Sequence, residues 1–466
     1  MTNHTNSIMF WLLATVAISF SSYSFAVRLG QNGKGQVLIF PFITAQNNWD
    51  TYVDLTLNGS GGATVPSILK IYIRDGVNGE IVNGFNVYTG FEPDTYASAW
   101  NWRASISNIE GQGTILTVAE GPCTVSDKRI GGSKGIQFPL NTSLGTIEVY
   151  AITQALAFGV DEELVDCQKA VDRWNPLGIW REDSNEGLTG YHSEFHFSGD
   201  ATLISVTEGI SVNYRAIALQ EFAEQMPHTA PFAIGGFFEA APTLADAEPV
   251  AILVNGTEYI PQSGEGIDAV SAALSALKTD GTLTNQVITA PKIGAKTDWI
   301  LTYPLTGYVQ DKPFIVDFDG QMKTCDTFGL RPGENSVDDP PGEAVHPVVE
   351  IGLDQASWSL TSWGSGNWLG GGPEFTPEPP VDVEAVLCNA VNIVSFGEQS
   401  SIFLQSHSNQ LYRIGNNQLA DPVSSTLQWQ PVSSAAVIGF RVTTFQNGTL
   451  NGGNILANYG VLRPHE

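Results

Sequence analysis

The chain has 466 residues, which is long enough for two or three folded domains. It carries 48 Asp and Glu residues against 21 Lys and Arg residues, a formal net charge of −27. A field of that sign repels nucleic acid and anionic membrane surfaces, so the composition excludes a nucleic-acid-binding protein and favours a soluble surface that attracts cations.

The first 26 residues predict an export signal. The apolar run from Met9 to Phe20 is too short to form a stable membrane-spanning helix. Ser24 and Ala26 occupy the minus-three and minus-one positions of a signal-peptidase site, although no Lys or Arg precedes the apolar run. We expect cleavage after Ala26 and a mature chain without a transmembrane span, placed outside the cell or at its surface. The periplasm is an alternative location, and a retained N-terminal anchor is an alternative to cleavage.

The stretch "GKGQVLIFPFITAQNNWDTYVDLTLNG" predicts the first strand pair of a β-sandwich. Proline has no N–H group, so it belongs on edge strands, at strand ends or at bulges. We therefore expect Pro41 to kink the strand and to protect an exposed edge from pairing with other chains. After the corner, "TYVDLTL" alternates, which predicts that Tyr52, Asp54 and Thr56 share one face of the second strand.

Further short β-branched and aromatic runs recur between Gly-containing corners. In "SILKIYIRDG", strict alternation predicts a half-buried antiparallel strand with Lys70, Tyr72 and Arg74 on one face.

Regularly spaced strands of this kind predict an all-β fold of two immunoglobulin-like or related antiparallel β-sandwich domains. We expect the domains to span 27–230 and 231–466. One short amphipathic helix is predicted over 266–280, where it covers an end or edge of a sheet.

Four cysteines allow three disulfide pairings. Their grouping along the chain favours Cys123–Cys167 and Cys325–Cys388, and both bonds form outside a reducing cytoplasm. The second bond is expected to tie the base of long acidic, Gly-rich and Pro-rich loops at 330–382.

Six segments occur in a characteristic order: "GQVLIFPFITAQNNWDTYVDLTLNG", "GFNVYTGFEPDTYASAW", "GPCTV", "GAKTDWILTYP", "VLCNAVNIVSF" and "NYG". Together they resemble a family of secreted proteobacterial proteins of unknown function. The resemblance covers nearly all of the mature chain. It implies export, an all-β fold and two cysteine pairs, and it brings no catalytic residues.

Two segments have the residue types of a metal site. In "YHSEFHF", a strand would place His192, Glu194 and His196 on one face, which are ligand types suited to a transition metal. The segment "DFDGQMKTCD" begins like a calcium loop at Asp317 and Asp319 but lacks the closing Glu of an EF-hand. Calcium is therefore the cofactor suggested by "DFDGQMKTCD", and a wet strand face is the alternative to a transition-metal site in "YHSEFHF".

The segment "SWSLTSWGSGNWLGGG" places Trp358, Trp363 and Trp368 on a Gly-rich loop. Exposed indole rings on such a loop suit stacking on sugar rings, whereas packing into the core is the alternative.

A Gly-x-Ser-x-Gly pattern at 131–135 precedes extended chain and not a helix, which does not favour a nucleophile elbow. The sequence therefore predicts an exported, non-enzymatic protein that binds cell-surface or extracellular matrix components. A glycan-binding protein that uses the Trp-rich loop is the first alternative, and a secreted hydrolase or metalloenzyme is the second.

Overall fold

The computed structural model of the protein describes most of the chain between residues 25 and 465. The described residues are 25–58, 67–88, 99–119, 123–126, 129–131, 135–154, 167–174, 177–183, 196–231, 241–261, 263–275, 283–290, 293–306, 308, 315–316, 322–323, 326–332, 349–351, 383–387, 389–397, 400–404, 411–414, 425–431, 436–450 and 455–465.

Short strands dominate the described residues, as the recurring β-branched runs predict. Up to residue 259 the strands are β1 (Val27–Leu29), β2 (Lys34–Gly35), β3 (Val37–Thr44), β4 (Asp50–Asn58), β5 (Ser67–Asp75), β6 (Ile81–Tyr88), β7 (Ala99–Ile109), β8 (Gly113–Val118), β9 (Cys123–Ser126), β10 (Arg129–Gly131), β11 (Ile136–Pro139), β12 (Leu144–Gln154), β13 (His196–Ser205), β14 (Ile210–Arg215), β15 (Ile217–Gln220), β16 (Ala251–Ile252) and β17 (Glu258–Tyr259). Beyond residue 259 they are β18 (Leu283–Val287), β19 (Lys296–Thr302), β20 (Ile315–Val316), β21 (Met322–Lys323), β22 (Asp326–Pro332), β23 (Val349–Ile351), β24 (Val383–Leu387), β25 (Val391–Phe396), β26 (Leu411–Ile414), β27 (Ser425–Pro431), β28 (Ile438–Leu450) and β29 (Ile455–Pro464). The α-helices are α1 (Cys167–Asp172), α2 (Ile179–Glu182) and α3 (Gly266–Ser275).

The strands form four large sheets within the described residues. Sheet 1 has the order β10-β9-β6-β5-β12-β3-β15-β1-β16-β17, and sheet 2 has the order β11-β8-β7-β4-β13-β14 with β2 beside β13. Sheet 3 is β18-β27-β22-β24, and sheet 4 is β23-β26-β25-β19-β28-β29. The pairings are antiparallel except for β1 with β16 and β25 with β26. The predicted all-β, sandwich-like fold of antiparallel sheets is confirmed.

One apolar core lies between sheets 1 and 2. It contains Leu38 and Ile71 from sheet 1 together with Leu55 and Trp102 from sheet 2. Phe440 of sheet 4 belongs to the same cluster of buried side chains. The core therefore continues across the predicted division at residue 230, and that division remains a prediction about independent folding units.

Pro41 does not lie in an edge strand, so the prediction of a protected edge was wrong. Strand β3 is buried along its whole length in sheet 1, between β12 and β15. Its register against β12 shifts between Ile43↔Gly145 and Phe40↔Ile147, which leaves Pro41 and Phe42 opposite one residue. The proline is accommodated because this β-bulge does not require a ladder N–H from it.

Side chains of two other sheets bind the carbonyl groups of this bulge. Thr302 Oγ1 of sheet 4 donates to the Pro41 carbonyl oxygen at 2.6 Å. The Tyr214 hydroxyl of sheet 2 donates to the Phe42 carbonyl oxygen. Because buried carbonyls need donors, the bulge connects three sheets at one point.

Strand β5 is buried on both faces, whereas the alternation predicted a half-buried strand. Lys70, Tyr72 and Arg74 are 1%, 0% and 4% exposed. The Lys70 ammonium donates to the Ala230 carbonyl oxygen at 2.6 Å, and the Tyr72 hydroxyl donates to the Ala241 carbonyl oxygen at 3.0 Å. This face of β5 is thus covered by other chain segments, whose carbonyl oxygens accept from Lys70 and Tyr72, while Arg74 pairs with the Glu148 carboxylate.

The predicted helix begins at Gly266 and is described to Ser275, and residues 276–282 lie outside the described residues. Its buried face, which includes Val270 and Leu274, packs beside Val27 and Leu219 of sheet 1. The helix therefore covers sheet 1 as expected. Helices α1 and α2 were not predicted because they are too short to show an apolar period.

The corner after β3 is fixed by the segment 401–404. Asn47 Nδ2 and Trp49 Nε1 both donate to the Ile402 carbonyl oxygen, at 3.0 and 2.9 Å. The Ile402 N–H in turn donates to Asp298 Oδ2 at 2.8 Å, and Ser401 Oγ donates to the same oxygen at 2.5 Å. Asp298 of β19 thus fixes the segment 401–404, which in turn fixes the corner after β3.

The bulge contacts predict the effect of removing their donors. Thr302→Val and Tyr214→Phe keep the side-chain shapes but leave a buried carbonyl oxygen without its donor. We expect each to lower the free energy of unfolding by about 1–3 kcal/mol, measured by urea denaturation. Thr56→Val on the exposed face of β4 is the matched control and should change it by less than about 0.5 kcal/mol. Equal effects at Thr302 and Thr56 would contradict this role of the bulge.

Asp298 predicts a pH-dependent contribution to stability. Burial raises its pKa, and the hydrogen bonds from Ser401 and Ser395 oppose that shift only in part. A carboxyl group whose pKa is higher in the folded chain contributes stability that is fully present below its unfolded pKa and lost as pH rises through the folded pKa.

We therefore expect Asp298→Asn to gain stability relative to the wild type as pH rises from about 4 to 7, because an amide cannot ionise. Urea denaturation across this pH range measures the difference. Glu110→Gln at an exposed turn serves as the control and should show no such trend. A difference for Asp298→Asn that stays constant with pH would show that the carboxyl group does not titrate in this range.

Candidate functional site

The outer face of sheet 2 carries a row of charged side chains. Arg103 of β7, Asp54 of β4, Asp200 of β13 and Arg215 of β14 are successive Cα partners across four adjacent strands. All four are exposed. We call these four residues the charged row. Successive side chains of a strand point to opposite faces of the sheet, so the apolar residues, such as Leu55, face the core and the charged residues face outward.

The two carboxylates lie at the centre of the charged row and the two guanidinium groups lie at its ends. Asp54 stands directly opposite Asp200, and like charges in that position repel each other. Partial desolvation by the neighbouring side chains raises the pKa of Asp54, Arg103 lowers it, and Asp200 raises it further. Arg215 Nε lies 3.5 Å from Asp200 Oδ1, an exposed ion pair that contributes little to stability. The charges therefore remain available to a partner.

An exposed aromatic ring flanks the charged row. Tyr52 is 48% exposed and has Ser105 and Thr202 as its Cα partners. On the other side of the row, Thr56 Oγ1 donates to Asn101 Oδ1 at 3.2 Å. This outer face of sheet 2 thus combines a ring for stacking with hydroxyl, amide, carboxylate and guanidinium groups for hydrogen bonding.

A second polar group lies between β5, β12 and Tyr308, where Arg74, Glu148 and Tyr150 are buried and Tyr308 is partly buried. Arg74 Nε forms an ion pair of 2.8 Å with Glu148 Oε1. The hydroxyl groups of Tyr150 and Tyr308 both donate to Glu148 Oε2, the first at 2.8 Å. Arg74 also lies over the Tyr308 ring, 4.0 Å from its centroid. We call these four residues the Glu148 cluster.

The Glu148 cluster is suited to holding the fold and not to catalysis. Burial raises the pKa of both Tyr150 and Tyr308 well above the usual value, so both hydroxyl groups stay protonated as donors. Glu148 is 1% exposed and Arg74 is 4% exposed, so a substrate cannot reach the carboxylate. Tyr308 comes from beyond residue 300, so the cluster ties that part of the chain to sheet 1.

Most of the site residues predicted from the sequence lie outside the described residues. They are His192, Glu194, Asp317, Asp319, Trp358, Trp363 and Trp368. His196 is the first residue of β13, where it is the Cα partner of Asn58. The predicted metal and glycan sites therefore remain predictions. In the part of the chain that the structure describes, no three His, Cys, Asp or Glu side chains gather as metal ligands would.

The predicted disulfides also remain predictions, but the strands place their neighbourhoods together. Helix α1, which begins at Cys167, packs against β9, which begins at Cys123. Cys325 and Cys388 lie outside the described residues. Their neighbours Asp326 and Leu387 are Cα partners at the end of the β22–β24 ladder. Both placements favour the pairing within each half over a crossed pairing.

The alternating pattern of the sequence predicted only part of the outer, polar face of sheet 2. It placed Tyr52, Asp54 and Thr56 together correctly. Arg103 and Asp200 were missed because their positions opposite Asp54 depend on strand register, which no local pattern records.

None of the described helices has the length and apolar composition needed to cross a membrane.

No family model, curated protein or solved structure matches this chain.

The contrast between the buried and exposed ion pairs gives a stability prediction. Glu148→Gln leaves the Arg74 guanidinium buried without its counter-charge, and we expect it to lower the free energy of unfolding by about 3–5 kcal/mol. Arg215→Gln breaks an exposed pair in the charged row and should cost about 0–1 kcal/mol. Urea denaturation measures both variants. A loss of similar size in the two would show that the Glu148 cluster contributes no more than a surface pair.

Proposed function

We propose that the protein is an exported, non-enzymatic component of the cell surface or surrounding matrix, and that it binds its partner through the outer face of sheet 2. The observation that carries this proposal is the position of the charged row. Its four side chains are exposed on adjacent strands of one sheet face, while the buried Glu148 cluster satisfies its charges within the chain. Export rests on the predicted signal sequence and on the family resemblance.

A glycan is the partner that we favour among cell-surface and matrix components. Tyr52 supplies an exposed ring, and sugars stack on aromatic rings through their C–H faces. Asp54 and Arg103 supply an acceptor and donors next to it on the same face, and Asn101 adds an amide on the far side of the charged row, as a sugar's hydroxyl groups require. This version of the glycan-binding proposal uses the sheet face and is independent of the Trp-rich loop.

Matched tyrosine variants test the proposal. Tyr52 on the polar face and Tyr259 at the end of sheet 1 are 48% and 42% exposed, so their replacement by Ala removes a similar exposed ring. Fractionation and surface protease shaving of the producing cells first establish where the protein is. Binding of purified wild type and variants to polysaccharide from those cells is then measured.

We expect Tyr52→Ala to weaken binding at least about tenfold, which corresponds to about 1.4 kcal/mol, because exposed tyrosines that contact a partner often dominate affinity. Tyr259→Ala should bind as the wild type does. Recovery of the protein only in the cytoplasm would contradict export. Wild-type binding by Tyr52→Ala, or an equal loss in both variants, would contradict the role of the polar face.

A further inference from the structure

A group of cationic and N–H donor side chains lies on one face of sheet 4. Trp299 of β19 is the Cα partner of Arg441 of β28, and Arg441 is the Cα partner of Arg463 of β29. Side chains of directly opposite residues project from the same face of a sheet. The three residues therefore form one rung across three adjacent strands.

The first two members of this rung are buried, and Arg441 lies beside β18 of sheet 3. Trp299 is 0% exposed and Arg441 is 2% exposed. Arg441 Nη1 donates to the Gln286 carbonyl oxygen of β18 at 3.1 Å. Within the described residues, Trp299 Nε1 and Arg441 Nε are shielded from solvent and have no hydrogen-bond acceptor.

Both of these atoms call for an acceptor. An indole N–H and a guanidinium N–H can only donate, so neither can satisfy the other. Burying a donor without an acceptor costs free energy, and native structures rarely leave one so. Two such donors at partnered positions are more readily explained by one shared acceptor than by two separate exceptions.

The charge of the rung indicates which acceptor fits. Arg441 and Arg463 are like charges directly opposite each other, an unfavourable arrangement. Burial lowers the pKa of Arg441, and Arg463 lowers it further. The ion pairs of the described residues involve Arg28, Arg74 and Arg215, so they leave this pair without a counter-charge. An anion would satisfy the donors and offset the repulsion, whereas a water molecule would satisfy only the donors.

His465, near the end of the chain, packs against Trp299 of this rung. The His465 ring lies 5.3 Å from the Trp299 ring, centroid to centroid. His465 Nε2 is 3.0 Å from the Ile300 carbonyl oxygen, so this nitrogen donates. Asn285 Nδ2 is 3.2 Å from His465 Nδ1, which therefore accepts. Since both ring nitrogens are engaged, His465 does not compete with the two donors for an anion.

We propose that Trp299 Nε1 and Arg441 Nε bind one small inorganic anion, a halide such as chloride, whose charge offsets that of Arg441 and Arg463. A halide suits the site because it accepts hydrogen bonds from any direction and needs few donors. Sulfate and phosphate would bring several oxygens that two enclosed donors cannot satisfy. The site is distinct from the polar face of sheet 2 and does not depend on the function proposed there.

The test separates halide binding from general salt screening. The melting temperature of the full chain is measured against sodium chloride, sodium bromide, sodium sulfate and sodium gluconate at matched ionic strength. Screening alone raises stability equally in all four salts, because it depends on ionic strength. A bound halide adds a saturable increase in chloride and bromide only.

Two variants and one control locate the effect. Trp299→Phe removes the N–H group and keeps a ring in the core, and Arg441→Gln removes the charge. We expect each to raise the half-saturating chloride concentration at least about tenfold, the equivalent of about 1.4 kcal/mol. Arg215→Gln, at an exposed arginine, should leave it unchanged. Because Arg441→Gln risks misfolding, Trp299→Phe and the anomalous scattering of bromide in wild-type crystals provide independent readings.

Bromide density between Trp299 and Arg441 together with a halide-specific increase would support the site. Identical melting curves in chloride and gluconate would overturn it. An ordered water alone at this position, without bromide density, would also overturn it. So would a chloride response that Trp299→Phe and Arg441→Gln both retain in full.

Discussion

The bulge at Pro41 and Phe42 is the constraint on which the arrangement of the sheets depends. Proline cannot donate to a ladder, and its strand is nevertheless central and fully buried. The two carbonyl groups of the bulge are bound by Thr302 and Tyr214, which belong to sheets 4 and 2. A buried carbonyl without a donor costs about 1–3 kcal/mol, so sheets 2 and 4 are both held to this point of sheet 1.

The chain that follows the bulge also fixes the strand that carries the outer face of sheet 2. Five residues after the end of the bulged strand, the Trp49 indole donates to the Ile402 carbonyl oxygen, and β4 begins at the next residue. Strand β4 carries Tyr52 and Asp54 outward and Val53 and Leu55 into the core. The exposed groups therefore stand on a strand fixed at its start and along its inner face. A binding surface on such a strand loses little conformational entropy when a partner binds.

Alternation predicted the class of fold and the two faces of β4, because a period of two is a local property of a strand. It was wrong about β5, where Lys70 and Arg74 are as buried as the apolar face. Polar residues at alternate positions look like a solvent face. Lys70 donates to the Ala230 carbonyl oxygen and Arg74 pairs with Glu148, and both of these acceptors lie at least 74 residues away along the chain. Burial of this kind depends on tertiary contacts, which the local pattern does not contain.

The candidate site shows the same limit at the level of register. The pattern of its own strand places Asp54 on an outward face. Its charged neighbours, Arg103 and Asp200, come from β7 and β13. Shifting either strand by one residue would turn Arg103 or Asp200 inward. The charged row is therefore a product of the tertiary pairing.

Exposed arginines are scarce on this acidic protein, because several of its few Lys and Arg residues are buried. Only 21 residues of the chain are Lys or Arg, and Lys70, Arg74 and Arg441 are buried. Lys70 is bound by neutral oxygens, and Arg74 is bound by a carboxylate that is itself buried. The surface is thus even poorer in positive charge than the composition indicates. On a surface that repels anions at long range, Arg103 and Arg215 are local exceptions that flank two carboxylates. A partner whose charges complement the order of guanidinium and carboxylate groups in the charged row would be selected by short-range contacts. The negative long-range field of the protein would not attract a polyanion.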